Sequence, residues 1–169
     1  MARVARIVVP GLSHYVLHRA RPGVALFRDE TDYNQFEDLL RDSCALYDTE
    51  LQAFRLMPYR VQVVLRPRSR DALARTMGET ARLYARSRSP RGADLWLGRF
   101  RSCPLDEAHG EAALAWLTGN REVAPQMTDL IEKSAMAGRP AGSAEFYARL
   151  EYELGRRLSP LKRGRKAKW

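Results

Sequence analysis

Histidine and cysteine are scarce in this chain, with three of the first and two of the second in 169 residues. Cys44 and Cys103 are too few for a disulfide framework, and neither belongs to a CxxC or Cys/His pair, so both read as buried structural thiols. His14, His18 and His109 leave little material for a metal or acid–base site. Long apolar runs are missing too. None approaches the length of a membrane span, and the N-terminus lacks the apolar core of a signal peptide, so a cytoplasmic protein without membrane contact is expected. Lysine is also rare: 25 of the 29 basic residues are arginine.

What is present in excess is positive charge. The net charge is +9 and the isoelectric point near 10.1, and the distribution is uneven. Arg66 to Arg101 holds ten arginines against three acids, and Arg156 to Trp169 holds seven basic residues and no acid. Residues 1–65 are balanced, and residues 102–155 carry a net −5. Two basic segments on a neutral-to-acidic frame are the electrostatic footprint of a nucleic-acid binder. Arginine usage set by genomic base composition is the alternative for the middle segment.

Along the chain, Arg6 to Val9 is a short β-like run closed by Pro10-Gly11. Ser13 to Arg19 alternates as a strand, with Tyr15 and Leu17 on one face and His14, Val16 and His18 on the other. His14 and His18 are four apart, twice the spacing of a strand ligand pair, and read as partly buried histidines. Asp29 to Asp48 is a helix capped by Thr31 or Asp32. Leu51–Leu56 and Arg60–Arg66 form an antiparallel hairpin across Met57-Pro58-Tyr59. A helix over Asp71–Arg88 follows, then a strand near Phe100–Cys103 and a helix over Glu107–Thr118 closed by Gly119-Asn120. Residues 126–137 are helical, Gly138 to Gly142 is a joint, and Ser143–Leu158 is an amphipathic helix. The order β-α-β-β-α-β predicts an α+β fold: a ferredoxin-like or RRM-like antiparallel sheet with helices packed on one face, leaving the other open to a ligand. Residues 1–125 would form this core, 126–158 a helical extension and 159–169 a disordered basic tail.

Five stretches occur together in register: "MARVARIVVPGLSHYVLHRA", "LFRDETDYNQFEDLL", "LQAFRLMPYRVQVVL", "LWLGRFRS" and the C-terminal "GSAEFYARLEYELGRRLSPLKRGRKAKW". In this order the chain resembles the bacterial single-strand tyrosine transposases of the His-hydrophobe-His class, the REP-associated transposase-like proteins in particular. The resemblance implies a ferredoxin-like core acting on hairpin-forming single-stranded DNA. In such enzymes two histidines on a strand hold Mg2+ or Mn2+, and a tyrosine on a later helix attacks the scissile phosphate.

The positions that carry this chemistry are altered here. The family strand reads Leu-Met-Pro-Asn-His-x-His; Leu56, Met57 and Pro58 match, Tyr59 replaces Asn, and Arg60 and Gln62 replace the histidines. Arginine has no lone pair to give a metal and repels a cation, while a lone Gln amide is a weak ligand. At the position of the nucleophilic tyrosine stands Trp116, with Asn120 retained four residues on. The chain thus reads as a relative that binds DNA without cutting it, with no cofactor. Tyr59 and Tyr84 read as core or surface aromatics and not as replacement nucleophiles. An active transposase or nuclease using other residues, and an RNA-binding protein on the same sheet, are the alternatives; the absence of an RRM-style aromatic pair favours DNA.

Arg60 is a candidate phosphate contact in place of the metal, by its planar fork of donors, or a drifted position; Gln62 shares its face. Arg99 and Arg101 of the "GRFR" stretch are further candidates, with Phe100 as core and Trp96 buried. Asn120 is kept from the family pattern. Arg82, Arg86 and Arg88 either line a groove or form a solvated helix face. In the tail, Lys162, Arg163, Arg165, Lys166 and Lys168 would attract phosphates irrespective of sequence. The expected setting is the nucleoid, and a homodimer is left open.

Overall fold

A computed structural model of the protein describes residues 5–88 and 94–159. The tail residues Lys162, Arg163, Arg165, Lys166 and Lys168 lie outside the described residues. The element order is β1 (His14–Arg19), α1 (Glu30–Leu46), β2 (Thr49–Met57), β3 (Arg60–Pro67), α2 (Ala72–Arg88), β4 (Arg101–Pro104), α3 (Glu107–Thr118), α4 (Pro125–Ala137) and α5 (Ala144–Leu154). The strands form one antiparallel sheet in the order β2-β3-β1-β4. This is the α+β, ferredoxin-like arrangement that the sequence predicts.

Strand alternation decides which residues meet which helices. Val16 of β1 and Val61, Val63 and Leu65 of β3 face α1 and α2, where they pack with Phe36, Leu40, Leu73, Met77 and Tyr84. Tyr15 and Leu17 of β1, Val64 of β3 and Cys103 of β4 point the other way, onto Ala113 and Leu117 of α3 and Ile131 and Ala135 of α4. The second sheet face is therefore covered, contrary to the open face expected from the sequence. The cause is legible in composition: α3 is rich in alanine and leucine, so it can lie close against the sheet.

Helix ends follow local chemistry. Asp29, not Thr31 or Asp32, caps α1, its carboxylate accepting from the Asp32 amide at 3.0 Å. Asp32 is thereby freed for a buried ion pair. Arg88, at the end of α2, donates to Asp32 at 2.8 Å, with side chains only 9% and 6% exposed. The Asp32 carboxyl is held below its usual range, first by a hydrogen bond from Arg28. This pair joins α1 to α2, and Tyr84 adds a hydrogen bond to the Leu26 carbonyl at 2.6 Å. The last helix stops at Leu154, four residues short of the expected end, because Gly155 adopts a left-handed conformation (φ 60°). Its Phe146 and Leu150 pack on Ile7 and Leu158, tying the helix to the N-terminal segment. Gly142 is required beside it, since a Cβ there would come within 2.3 Å of the Phe146 ring.

Candidate nucleic-acid interface

Arg60 and Gln62 share the sheet face that meets α3 and α4, as their spacing predicts. Gln62 is sealed from solvent, whereas Arg60 is half-buried. Glu132 of α4 stands against both: Arg60 Nη1 donates to Glu132 Oε1 at 3.1 Å and Gln62 Nε2 donates to the same oxygen at 3.0 Å. Gln62 Nε2 also donates to the Tyr15 phenol oxygen at 2.7 Å, and that phenol aims its proton at Glu132 across 3.5 Å. Gln62 and Tyr15 are fully buried. Burial, above all, pushes the Tyr15 phenol up from its usual range.

Trp116 completes the cluster, stacking on Tyr15 with ring centroids 5.7 Å apart and planes 20° from parallel. Its carbonyl accepts a hydrogen bond from Arg55 of β2. Three of the positions at which the sequence was read as departing from the transposase pattern, Arg60, Gln62 and Trp116, are thus brought to one place. They are knitted together by Tyr15 and Glu132, which no motif in the sequence marked. The divalent metal implied by the resemblance does not fit these residues. A guanidinium already sits 3.1 Å from the carboxylate, and it would repel a second cation there. Among the described residues, no group of three or more His, Cys, Asp or Glu side chains is placed to hold a metal ion.

The other tyrosines are placed apart from this cluster. Tyr84 is fully buried beneath α1, and Tyr59 is 63% exposed in the β2–β3 turn. Of the histidines, His14 accepts from the Val9 amide on Nε2 at 3.2 Å and faces the Leu12 carbonyl on Nδ1 at 2.8 Å. His18 bonds the Gly98 carbonyl at 3.1 Å and stacks on Trp96 at 4.0 Å. Burial lowers both imidazoles to about 4.

The free positive charge gathers elsewhere, at the β4 edge of the sheet. Three clefts of about 460, 320 and 350 Å³ adjoin there and share Arg6 and Arg99. Arg101 lines the first, Arg82 the second and Arg70 the third. Arg6 is pinned by Phe100: its guanidinium lies 3.7 Å over the ring and donates to the Phe100 carbonyl at 3.1 Å. Burial lowers the Arg6 pKa, and the charges of Arg99 and Arg101 lower it further. Among the described residues none of these three arginines pairs with a carboxylate, and the remaining segments contain no Asp or Glu. The acids near the groove are engaged, Glu79 with Arg82 at 2.6 Å and Asp71 with Arg75 at 2.8 Å. Buried Ser102 lines the first cleft, with an Oγ that has no partner among the described residues.

Of the sequence candidates, Arg82, Arg99 and Arg101 therefore meet in one groove, joined by Arg6 and Arg70, which sequence reasoning did not single out. Arg6 sits in a segment read as a β-like run, and its distance in sequence from "GRFR" hid the association. Arg86 is exposed on α2, and Asn120 is exposed in the turn after α3. Arg88 takes neither role expected of it. Its position on the inner face of α2 turns it onto Asp32, so it lines no groove and is not solvated. Trp96 is half-buried, its indole donating to the Ala81 carbonyl at 3.1 Å. The groove and the Arg60 cluster are neighbours. Arg101 and Gln62 both pair with Leu17 across β1, which places their backbones about 10 Å apart on the same sheet face.

No helix among the described residues is long and apolar enough to cross a membrane. No protein-family model and no curated protein matches the sequence. Among solved structures, a candidate transposase from Deinococcus radiodurans R1 is 21% identical, with 73% of this chain and 100% of that chain covered at a TM-score of 0.48. A REP-associated tyrosine transposase bound to a REP hairpin is 13% identical, with 71% of this chain and 72% of that chain covered at a TM-score of 0.59. With its sheet order and flanking helices, the chain has the fold of a REP-associated tyrosine transposase.

Proposed function

We propose that this protein binds structured, hairpin-forming single-stranded DNA through the groove at the β4 edge, and that it does not cleave it. The observation that carries the binding is the unpaired cluster of Arg6, Arg99 and Arg101. Like charges held together without carboxylates cost free energy, and a polyanion relieves that cost. The Phe100 ring holds Arg6 in position, so less side-chain freedom is lost when phosphate binds. The solved transposase of this fold is bound to a REP hairpin, which favours DNA of that shape as the ligand.

The reading of no cleavage is supported by Arg60, which stands where the family pattern has its first metal-binding histidine and is paired with Glu132. The Trp116 indole, where that pattern has a tyrosine, offers no hydroxyl for attack on phosphorus. Arg60 is in this reading a half-buried, ion-paired cation and not a phosphate ligand. The exposed Arg86 and Asn120, and the tail cations Lys162, Arg163, Arg165, Lys166 and Lys168, extend the binding surface. The protein would act in the cytoplasm on nucleoid DNA, as a monomer or a homodimer.

The test is a titration of a labelled DNA hairpin, with and without Mg2+ or Mn2+, followed by denaturing electrophoresis. Binding with no covalent protein–DNA adduct is expected. An adduct or a cut strand would establish the active enzyme instead, and tighter binding to the RNA form of the same hairpin would transfer the proposal to RNA.

A further inference from the structure

The first of the three clefts contains a buried donor with nothing to donate to. Ser102 is 6% exposed, it lines the cleft, and its Oγ has no partner among the described residues; a buried hydroxyl in that state is destabilising. The Ser102 backbone adds a second donor. In β4 the Leu105 amide donates inward to the Ser13 carbonyl, while the Asp106 amide and the Pro104 carbonyl turn outward and bond Ala141. The register with β1 is unbroken from Arg101 to Pro104, so alternation turns the Ser102 amide outward too. The Phe100 carbonyl, the neighbouring outward group on this edge, accepts from Arg6 at 3.1 Å. Arg99 and Arg101 also line the cleft, and no Asp or Glu does. The end of α4 contributes Ala135, Ala137 and Gly138, small residues that leave the space open. The Ser134 and Ala135 carbonyls at that helix end are already engaged by the Gly138 and Arg139 amides.

The cleft thus offers donors and positive charge with no carboxylate to match them. A phosphate inside a strand carries one negative charge, and two of its oxygens are esterified to sugars that lead away on both sides. A terminal phosphate carries about two charges at neutral pH, presents three free oxygens, and is tethered on one side only. At about 460 Å³ the cleft has room for that group and its sugar. We infer that this cleft takes the terminal phosphate of a DNA strand, a phosphomonoester, between the Ser102 hydroxyl and amide and the guanidinium groups of Arg6, Arg99 and Arg101. Hydrogen bonds to a charged oxygen are about twice as strong as neutral ones, so the otherwise idle Ser102 donor gains most from a doubly charged ligand. The inference rests on the DNA-binding reading above and deepens it: the protein would prefer DNA ends that carry a phosphate to ends that carry a hydroxyl.

Ser102→Ala isolates the hydroxyl. Alanine fits where serine does and removes a polar atom that has no partner, so the Tm should not fall. The full chain is titrated against three forms of one DNA hairpin that differ only in carrying a 5′-phosphate, a 3′-phosphate or hydroxyls at both ends. The wild type should bind one phosphorylated form roughly tenfold or more tightly than the hydroxyl form, the factor for a hydrogen bond to a charged group. In S102A that ratio should fall several-fold. Equal affinity of the wild type for all three forms, or a ratio unaltered in S102A, overturns the site. If the wild type binds none of the three at low salt, the DNA-binding reading fails, and titration calorimetry with thymidine 5′- and 3′-monophosphates decides the cleft by itself. Binding that is weakened in S102A keeps the cleft as a phosphomonoester site for a free nucleotide, and no binding removes it.

Discussion

At the scale of single residues, two long polar side chains on a buried strand are tolerable only if their polar groups find partners. Arg60 and the Gln62 amide nitrogen find the same one, while Gln62 Oε1 has none among the described residues. Glu132 accepts from both, and Gln62 passes a second bond to Tyr15. Removing Glu132 leaves the Arg60 charge half-buried and one amide bond of buried Gln62 unmade. Glu132→Ala should destabilise the protein by about 1–3 kcal/mol, read as a lower denaturant midpoint with unchanged slope. The double replacement Arg60→Met, Glu132→Leu should recover most of that loss, because it removes both partners of the pair together. Wild-type stability in Glu132→Ala would mean that the cluster contributes nothing. The hairpin Leu56–Pro67 was legible in the sequence, as was the shared face of Arg60 and Gln62. Glu132 was not, because an acid at one position of an amphipathic helix looks like any solvated residue until the helix is docked.

At the scale of elements, β1 carries a dependence on pH. Its two histidines face the α1–α2 side and are buried neutral. His14 accepts a backbone amide on one ring nitrogen, a bond that protonation would break; a proton on His18 would add a charge with no carboxylate beside it. Both are lowered to about 4 from an ordinary value of 6.5. Between those values the unfolded chain binds more protons than the folded one, so stability is full above pH 6.5 and falls as the pH drops toward 4. The loss is at most roughly 3 kcal/mol per ring. Urea unfolding between pH 7.5 and 4 should show this decline, and His14→Gln with His18→Gln should flatten it; a flat wild-type profile would contradict the burial argument. The α1–α2 pair Asp32–Arg88 belongs to this scale as well. Helical periodicity placed both helices within a residue or two of their ends, but which arginine of α2 faces inward depended on how the helix rolls against its neighbour.

At the scale of the whole molecule, charge is segregated. The groove concentrates Arg6, Arg82, Arg99 and Arg101, while the acids of residues 102–155 lie on α3, α4, α5 and their flanks. Binding to such a surface should be steeply salt-dependent. Replacing Arg6, Arg99 and Arg101 together by alanine should shallow the log–log salt slope by about 2 units, and deleting Lys162 to Trp169 by roughly 3–4, on single-stranded DNA. Unchanged slopes in the first variant would exclude the groove as the phosphate-binding surface.

The sequence by itself determined the strand and helix order, the α+β class, the surplus of arginine and the shared strand face of Arg60 and Gln62. These follow from local spacing and side-chain chemistry, which need no neighbours. Only the tertiary structure decided that α3 and α4 close the second sheet face, that Glu132 engages Arg60, that Arg88 turns inward, and that Arg6 joins Arg99 and Arg101. Each of these depends on contacts between segments far apart in the chain. Such contacts are set by how amphipathic faces pack, and the periodicity of one segment does not reveal its partner.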